Sequence, residues 1–278
     1  MCNVEMAPYL LITNGPTGSG KSGLVNKTIE HYELEREHSK FLIDDLVEQN
    51  PYYKEQIDKI IRKECRSHAL CPALAARLQN PDTDFYKQFG DLYFRTRGKT
   101  GDEKHCYKDS KTVTCDALLD SLLNEAVRSG QNIVFETVGT YYVDWLIAQV
   151  KEYEYHVVYA FTVLDFCENV RRNKTRALDG MREYIADRRN PAPRLPNVEE
   201  SHFKLVVKDI GRNLWNLMGR KLWDNLPDVE HIVVFDNTTR DIVVLYDSDV
   251  DDSMARMLHA IEAIKKVQHV RRCYMRTV

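Results

Sequence analysis

The stretch "ITNGPTGSGKSGL", Ile12 to Leu24, decides the fold. Gly15 is followed by four residues and then by Gly20-Lys21-Ser22, which is the spacing of a phosphate-binding loop. In such a loop, successive backbone N–H groups and a helix N-terminus converge on the phosphates of a nucleotide. Gly15, Pro16, Thr17, Gly18, Ser19, Gly20, Lys21 and Ser22 are therefore the candidate ATP-binding residues. Lys21 is placed to reach the β- and γ-phosphates, and the Ser22 hydroxyl is the candidate Mg²⁺ ligand. The flanking residues agree. Tyr9-Leu10-Leu11-Ile12 reads as a buried strand, and Gly23 to His31 as a helix.

Outward from the loop, "KFLIDDL" (Lys40 to Leu46) reads as a second strand ending in two acids, Asp44 and Asp45. Asn50-Pro51 separates it from a helix over Tyr52 to Cys65. From about Leu78 to Thr112 the text turns irregular and polar, which predicts an excursion from the sheet. A helix from Cys115 to Gly130 leads to a strand, Asn132 to Thr137, with Glu136 at its C-terminal end. Ligands of open parallel sheets sit at such ends. A helix near Tyr142 to Glu152, a strand Tyr155 to Val163, a helix Cys167 to Ala177 and a long helix Ser201 to Leu226 follow. Strands His231 to Asp236 and Asp241 to Asp247 and a helix Asp252 to Val270 close the chain. This alternation predicts a three-layer α/β/α P-loop sandwich with a mainly parallel sheet. No Pro/Gly/Ser-rich linker interrupts residues 1–278, which read as a single domain.

Composition narrows the field. A formal charge of -3 argues against binding nucleic acid through a bulk positive field. No apolar run approaches the roughly 18 residues of a membrane span, and "MCNVEMAPYL" has no secretory pattern, so the expected compartment is the cytoplasm. The seven cysteines (Cys2, Cys65, Cys71, Cys106, Cys115, Cys167 and Cys273) are odd in number and scattered, which predicts reduced thiols. Cys65, His68 and Cys71, with His105-Cys106, also have spacings a zinc site uses, but three-residue spacing equally describes one buried helix face.

Three further features point to phosphoryl transfer. Asn173-Lys174-Thr175 is followed by Arg176 and not by the carboxylate that reads guanine, and the strand at Glu136 carries one acid where remodelling ATPases carry two. A single acid still organises Mg²⁺ or its water shell. Glu168 to Pro196 carries seven arginines (Arg171, Arg172, Arg176, Arg182, Arg188, Arg189 and Arg194), the composition of a lid that closes on phosphates. Asp44 and Asp45 follow the second strand, where a hydroxyl acceptor needs a carboxylate.

Taken in order, "NGPTGSGKS", "FLIDDLVEQNP", "NIVFETVGT", the arginine-rich lid with "RNPAPRLPNVEESH" and "VVFDNTTRDIVVLYD" resemble the zeta-toxin-like P-loop kinases. Characterised members phosphorylate the sugar 3′-hydroxyl of UDP-N-acetylglucosamine. The resemblance implies that Lys21 and Ser22 bind ATP and Mg²⁺, that the Asp44-Asp45 pair supplies the base, and that Glu136 holds the acceptor. It also implies a γ-phosphate clamp drawn from Arg172, Arg176, Arg189 and Arg194. The chain departs from the family pattern in two places. The interval between Asp44 and Glu136 is long, so residues 62–111 or thereabouts read as an insertion near the acceptor pocket, and two acids stand where the family has one.

The leading expectation is an ATP-dependent kinase of a small hydroxylated metabolite, a nucleotide sugar or a nucleoside. A polynucleotide 5′-hydroxyl kinase is the alternative, with Arg95, Arg97 and Lys99 among Tyr86, Phe89, Tyr93 and Phe94 as a base-stacking surface. A non-catalytic ATP-sensing module is the third. No motif names an antidote protein.

Overall fold

Strand β1 (Tyr9–Asn14) is buried at every position, as a strand flanked on both sides and covered on both faces must be. The computed structural model describes residues 7–65, 69–80, 84–99, 103–138, 143–197, 199–223, 229–239, 242–250 and 254–268. After β1 come α1 (Lys21–His31), β2 (Ser39–Phe41), α2 (Ile43–Glu48), α3 (Pro51–Glu64), α4 (Pro72–Leu78) and α5 (Asp84–Arg97). A hairpin of β3 (Cys106–Lys108) and β4 (Lys111–Val113) precedes α6 (Cys115–Arg128), β5 (Ile133–Thr137) and α7 (Asp144–Lys151). The chain continues with β6 (His156–Val163), α8 (Phe166–Ala186), α9 (Glu200–Trp223), β7 (His231–Asp236), β8 (Val243–Asp247) and α10 (Met254–Gln268).

The main sheet has the order β2-β5-β1-β6-β7-β8, with helices on both sides. Every neighbouring pair is parallel except β7 and β8. This is the α/β sandwich that the alternation predicts. β1 lies between β5 and β6, so the chain builds outward on one side of β1 and then passes to the other. The loop after β1 therefore opens where the strand order reverses, the place at which open α/β sheets receive ligands.

The chain divides into two compact units. The first takes Met1–Phe41, Glu125–Asn169 and Glu200–Val278, and the second takes Leu42–Asn124 and Val170–Glu199. The first holds the sheet, and its core includes Leu11, Leu24, Ile29, Val134, Val158 and Phe235. The second is mostly helical and has a core of its own, built on Tyr53, Ile57, Leu74, Phe85, Phe89, Met181 and Tyr184. Residues 62–111 belong to the second unit, which also takes in α2 and most of α8. Among the described residues no helix is long and apolar enough to cross a membrane.

Three expectations need correction. The second strand ends at Phe41, and Asp44 and Asp45 stand in the first turn of α2. The apolar residues Ile43, Leu46 and Val47 have helical spacing and pack against the second core, which overrides the strand reading. The segment from about Leu78 to Thr112 is not irregular: α5 occupies Asp84–Arg97 and buries Phe85, Tyr86, Phe89, Leu92, Tyr93 and Thr96, a helical stripe that its polar residues mask. Finally, Cys65 is joined to Cys71 and Cys106 to Cys115, so these four are not reduced thiols. The end of α3 meets the start of α4, and the hairpin returns the chain to the start of α6, which brings each pair of Cα atoms to 5.8 and 5.2 Å. Of the zinc alternative, Cys65 and Cys71 are bonded to each other and His68 lies outside the described residues.

Candidate active site

In the first unit the phosphate loop is shaped by glycines. Gly18 and Gly20 take φ of 81° and 84°, a left-handed region that favours glycine. A Cβ on Gly15 would sit 2.4 Å from Thr162 Cγ2 and 2.7 Å from the Thr162 carbonyl oxygen, so β6 itself excludes a side chain there. Two side-chain amides brace the loop from outside: Asn169 Nδ2 donates to the Thr17 carbonyl (2.6 Å) and Asn237 Nδ2 to the Ser19 carbonyl (2.7 Å). Lys21 Nζ donates to the Gly15 and Pro16 carbonyls at 2.9 and 3.0 Å, which lays the ammonium along the loop.

The Ser22 hydroxyl donates to Glu136 Oε1 at 2.8 Å, and Lys40 Nζ lies 2.8 Å from the same oxygen. The Glu136 side chain is only 7% exposed. β5 pairs with β1 in parallel, Thr13 opposite Glu136 and Asn14 opposite Thr137, so the strand-end acid comes level with the loop's entry. A hydroxyl and a carboxylate in contact beside a phosphate loop are the donor set that Mg²⁺ with a nucleotide uses, and the left-handed glycines leave the loop backbone open to phosphate. The residues present thus fit ATP and Mg²⁺. Lys40 was not among the candidate residues, and nothing in its local sequence marks it.

The second unit contains the acid pair and most of the lid. α2 places Asp44 and Glu48 four residues apart and hence on one face, with Asp44 partly buried, Glu48 buried and Asp45 exposed. Arg194 meets both: Nη2 lies 2.5 Å from Asp44 Oδ2, and Nε lies 3.3 Å from Glu48 Oε1. The latter pair is close enough for charge attraction but is not aligned as a hydrogen bond, and neither atom has another hydrogen-bond partner. Tyr93 of α5 donates its hydroxyl to Asp44 Oδ1 at 2.6 Å, and its ring lies under the Arg194 guanidinium, 5.4 Å from the centroid. Arg176 Nη2 approaches Glu48 Oε1 at 3.6 Å.

Local chemistry explains this convergence. Asn50 caps α3 by accepting from the N–H groups of Tyr52 and Tyr53, with Pro51 at the first helical position, so the chain turns sharply after α2. The proline-rich segment holding Arg194 is then tied down just before it: Ala192 N–H donates to the Glu48 carbonyl (2.8 Å) and the Tyr53 hydroxyl to the Pro193 carbonyl (3.2 Å). Burial opposes the charge on Arg194, and the carboxylate of Asp44 first among its neighbours reverses this, leaving its proton held more firmly than usual. Burial pushes the Glu48 carboxyl up against the opposing pull of Arg194 and Arg176.

The other lid arginines divide. Arg189 is 91% exposed and folded onto Asp187 through paired contacts of 3.0 and 2.6 Å. Arg188 is paired to Asp58 at 2.8 Å and Arg182 to Asp179 at 3.0 Å. Arg172 is partly buried on α8. The aromatic residues offered as a base-stacking surface are largely withdrawn: Tyr86, Phe89 and Tyr93 are core residues, while Phe94 stays exposed. Arg97 and Lys99 both engage Asp116, at 2.7 and 3.3 Å. Glu48 and Tyr93 escaped the sequence reading. The four-residue interval from Asp44 to Glu48 would have flagged the glutamate had α2 been read as a helix, whereas Tyr93 has no local signal.

Neither a protein-family model nor a curated protein matches the chain. Among solved structures, one from the molecular and structural characterization of the PezAT chromosomal toxin-antitoxin system of Streptococcus pneumoniae is similar over 96% of this chain and 79% of that one. The identity is 14% and the TM-score 0.52. The chain has the zeta-toxin-like P-loop fold. Two structures of AvrRxo1-ORF1 with AvrRxo1-ORF2, one with sulphate ions and one with ATP, align over 95% of this chain and 64% of theirs. Their identities are 16% and 15% and their TM-scores 0.45 and 0.43. The motifs that carried the resemblance fall on the loop after β1, α2, the end of β5, the lid and the β7–β8 pair.

Proposed function

We propose that this chain is a zeta-toxin-like kinase that transfers the γ-phosphoryl group of ATP to a hydroxyl of a small metabolite, a nucleotide sugar of the UDP-N-acetylglucosamine kind or a nucleoside. The observation that carries this reading is Asp44, a carboxylate engaged on both oxygens in a chain that also has a phosphate loop. A pure nucleotide sensor has no use for an oriented acceptor-side carboxylate. Bound ATP would supply the phosphoryl group, and Mg²⁺, when bound, would neutralise its charge. Lys21 follows the phosphate charge, Ser22 and Glu136 hold the metal side, and Asp44 orients the acceptor hydroxyl and takes its proton. The contact between Ser22 and Glu136 favours this metal-side role for Glu136 over acceptor holding. Asp45, exposed on the same turn, is left to the turn and its surroundings.

Arg172 and Arg176 of α8, two of the four arginines that the resemblance offers, are the lid cations assigned to the phosphates, while Arg189 lies on Asp187 and Arg194 on the two acids of α2. Residues 62–111 then line the acceptor side as part of the second unit, and the whole chain works as one P-loop kinase with ATP drawn from the cytoplasm. By the same likeness, a protein antidote is the macromolecular partner to seek. The test is incubation with γ-labelled ATP and a panel of nucleotide sugars, nucleosides and 5′-hydroxyl oligonucleotides. Label on a nucleotide sugar or nucleoside is the expected result. Label in none of them with ATP binding intact overturns the kinase reading in favour of the sensor.

A further inference from the structure

Both oxygens of Asp44 are taken, one by a neutral donor and one by a cation. Tyr93 supplies the hydroxyl at 2.6 Å to Oδ1 and Arg194 the guanidinium nitrogen at 2.5 Å from Oδ2. Two such contacts, one on each oxygen, fix the plane of the group, and a carboxylate has about four lone-pair positions in all. Arg194 is itself held, by Glu48 through charge and by the tethered backbone at Ala192 and Pro193. Tyr93 is anchored in turn by α5, whose Phe85, Phe89 and Leu92 lie in the core.

We propose that Tyr93 and Glu48 are positioning residues of the acceptor-side carboxylate, Tyr93 by its direct hydrogen bond to Asp44 and Glu48 by bracing Arg194 against it. This rests on the reading of Asp44 as the group that receives the acceptor hydroxyl. Charge pairing accounts for Arg194 between the two acids but not for the atoms it leaves unbonded. Glu48 Oε1 and Arg194 Nε are buried without an aligned hydrogen bond, an expense that a merely structural pair gains nothing from. Orientation also matters more than proton affinity here, because phosphoryl transfer passes through a loose transition state that asks little covalent chemistry of the protein. A Tyr–Arg pair that locks the carboxylate's plane provides the alignment.

The groups that act on Asp44 include Tyr93 of α5, Tyr53 of α3, Arg194 of the lid segment and Glu48 of its own helix, with Asp45 and Arg176 acting on Glu48 and Arg97 on Tyr93. Of these, the Tyr93 hydroxyl is the one that Tyr93→Phe removes without touching charge or the ring's packing. A donor to the ionised form favours that form. Losing it should raise the ionisation midpoint of Asp44.

The experiment uses the full chain labelled with ¹³C-aspartate, with Asp44→Asn to assign the Asp44 signal. NMR titration of wild type and Tyr93→Phe is the first measurement, and it needs no acceptor. An upward shift in Tyr93→Phe is expected, and an unchanged midpoint overturns the direct contact. The second measurement is transfer from γ-labelled ATP, to the acceptor found by the panel or else to water. Tyr93→Phe and Glu48→Gln should each lower transfer about tenfold with ATP affinity retained, and in the Asp44→Asn background neither should lower it further. Losses that persist undiminished in that background mean a purely structural role and overturn the proposal. If Asp44→Asn itself leaves transfer intact, the reading of Asp44 fails, which separates that failure from failure of the positioning residues.

Discussion

The two candidate carboxylates, one in each unit, are held in different ways. Glu136 sits at the end of a buried sheet strand and is met by Ser22, from the loop directly after the neighbouring strand, and by Lys40, from the end of the next. Asp44 sits in a short helix and is met by Tyr93 and Arg194, 49 and 150 residues further along the chain. Around Glu136, strand register does the positioning, and any sequence that makes the sheet makes the site. Around Asp44 nothing is regular: two side chains from unrelated elements must be delivered by packing. The first arrangement tolerates surface change and the second depends on the core beneath it.

The largest effects should come from the chemical groups themselves. Lys21→Ala and Asp44→Asn should each lower kcat by 10²–10⁴-fold, about 3 to 5 kcal/mol of barrier, in steady-state assays. In melting assays Lys21→Ala should leave the thermal midpoint nearly unchanged, whereas Asp44→Asn, which takes one acid from buried Arg194, should also lower it. Asp45→Asn should leave kcat nearly unchanged, and collapse of kcat in that variant instead would move the base by one residue.

Next comes the contrast in dependence on packing. Arg194→Met leaves Asp44 and Glu48 together in a buried site without their shared cation, a loss of about 3 kcal/mol or more in chemical denaturation. Lys40→Met, at a side chain 36% exposed, should cost well under 1 kcal/mol. Equal losses for the two would erase the distinction drawn between the two carboxylates.

A smaller effect is expected from reduction. Cys65–Cys71 and Cys106–Cys115 close loops of 6 and 9 residues, both in the second unit, and opening them should lower its stability by about 2 kcal/mol each on loop-closure grounds. Hydrogen exchange with and without reductant should show the loss in α3, α4, α5 and α6 while β1, β6 and β7 keep their protection.

The smallest prediction concerns pH, where the two units have opposite signs. Burial works against the charge on Asp247, but the Asp249 N–H, His31 and Tyr32 outweigh it and hold the carboxyl below its usual range. Its contribution is present above the unfolded aspartate range and is lost as pH falls through the lower folded value. Burial raises Glu48, so its contribution is full at low pH and declines as pH rises through and above the usual glutamate range. Asp247→Asn should therefore flatten the loss of stability at and below the usual aspartate range, and Glu48→Gln should flatten a decline at and above the usual glutamate range. Denaturation curves across both ranges read both, and the same sign in the two variants contradicts the assignment.

The sequence by itself determined the buried strands of the sheet and the phosphate loop. Both rest on local information: a run of apolar residues long enough to be buried on both faces, glycines where only a left-handed backbone fits, and a lysine and serine at fixed offsets. The strands containing Leu11, Val134, Val158 and Val233 were legible because hydrophobic runs need no partner to be recognised. Only the tertiary structure decided the second unit. α2 and α5 are short or polar-rich, so their helical stripes appear only against the core they cover. The cysteines pair because turns bring their Cα atoms within bridging distance, a fact that spacing along the chain does not carry. Tyr93, Glu48 and Arg194 meet at Asp44 because buried charge must find opposite charge once packing has removed water from it. That requirement is a property of the assembled interior, so no window of consecutive residues contains it.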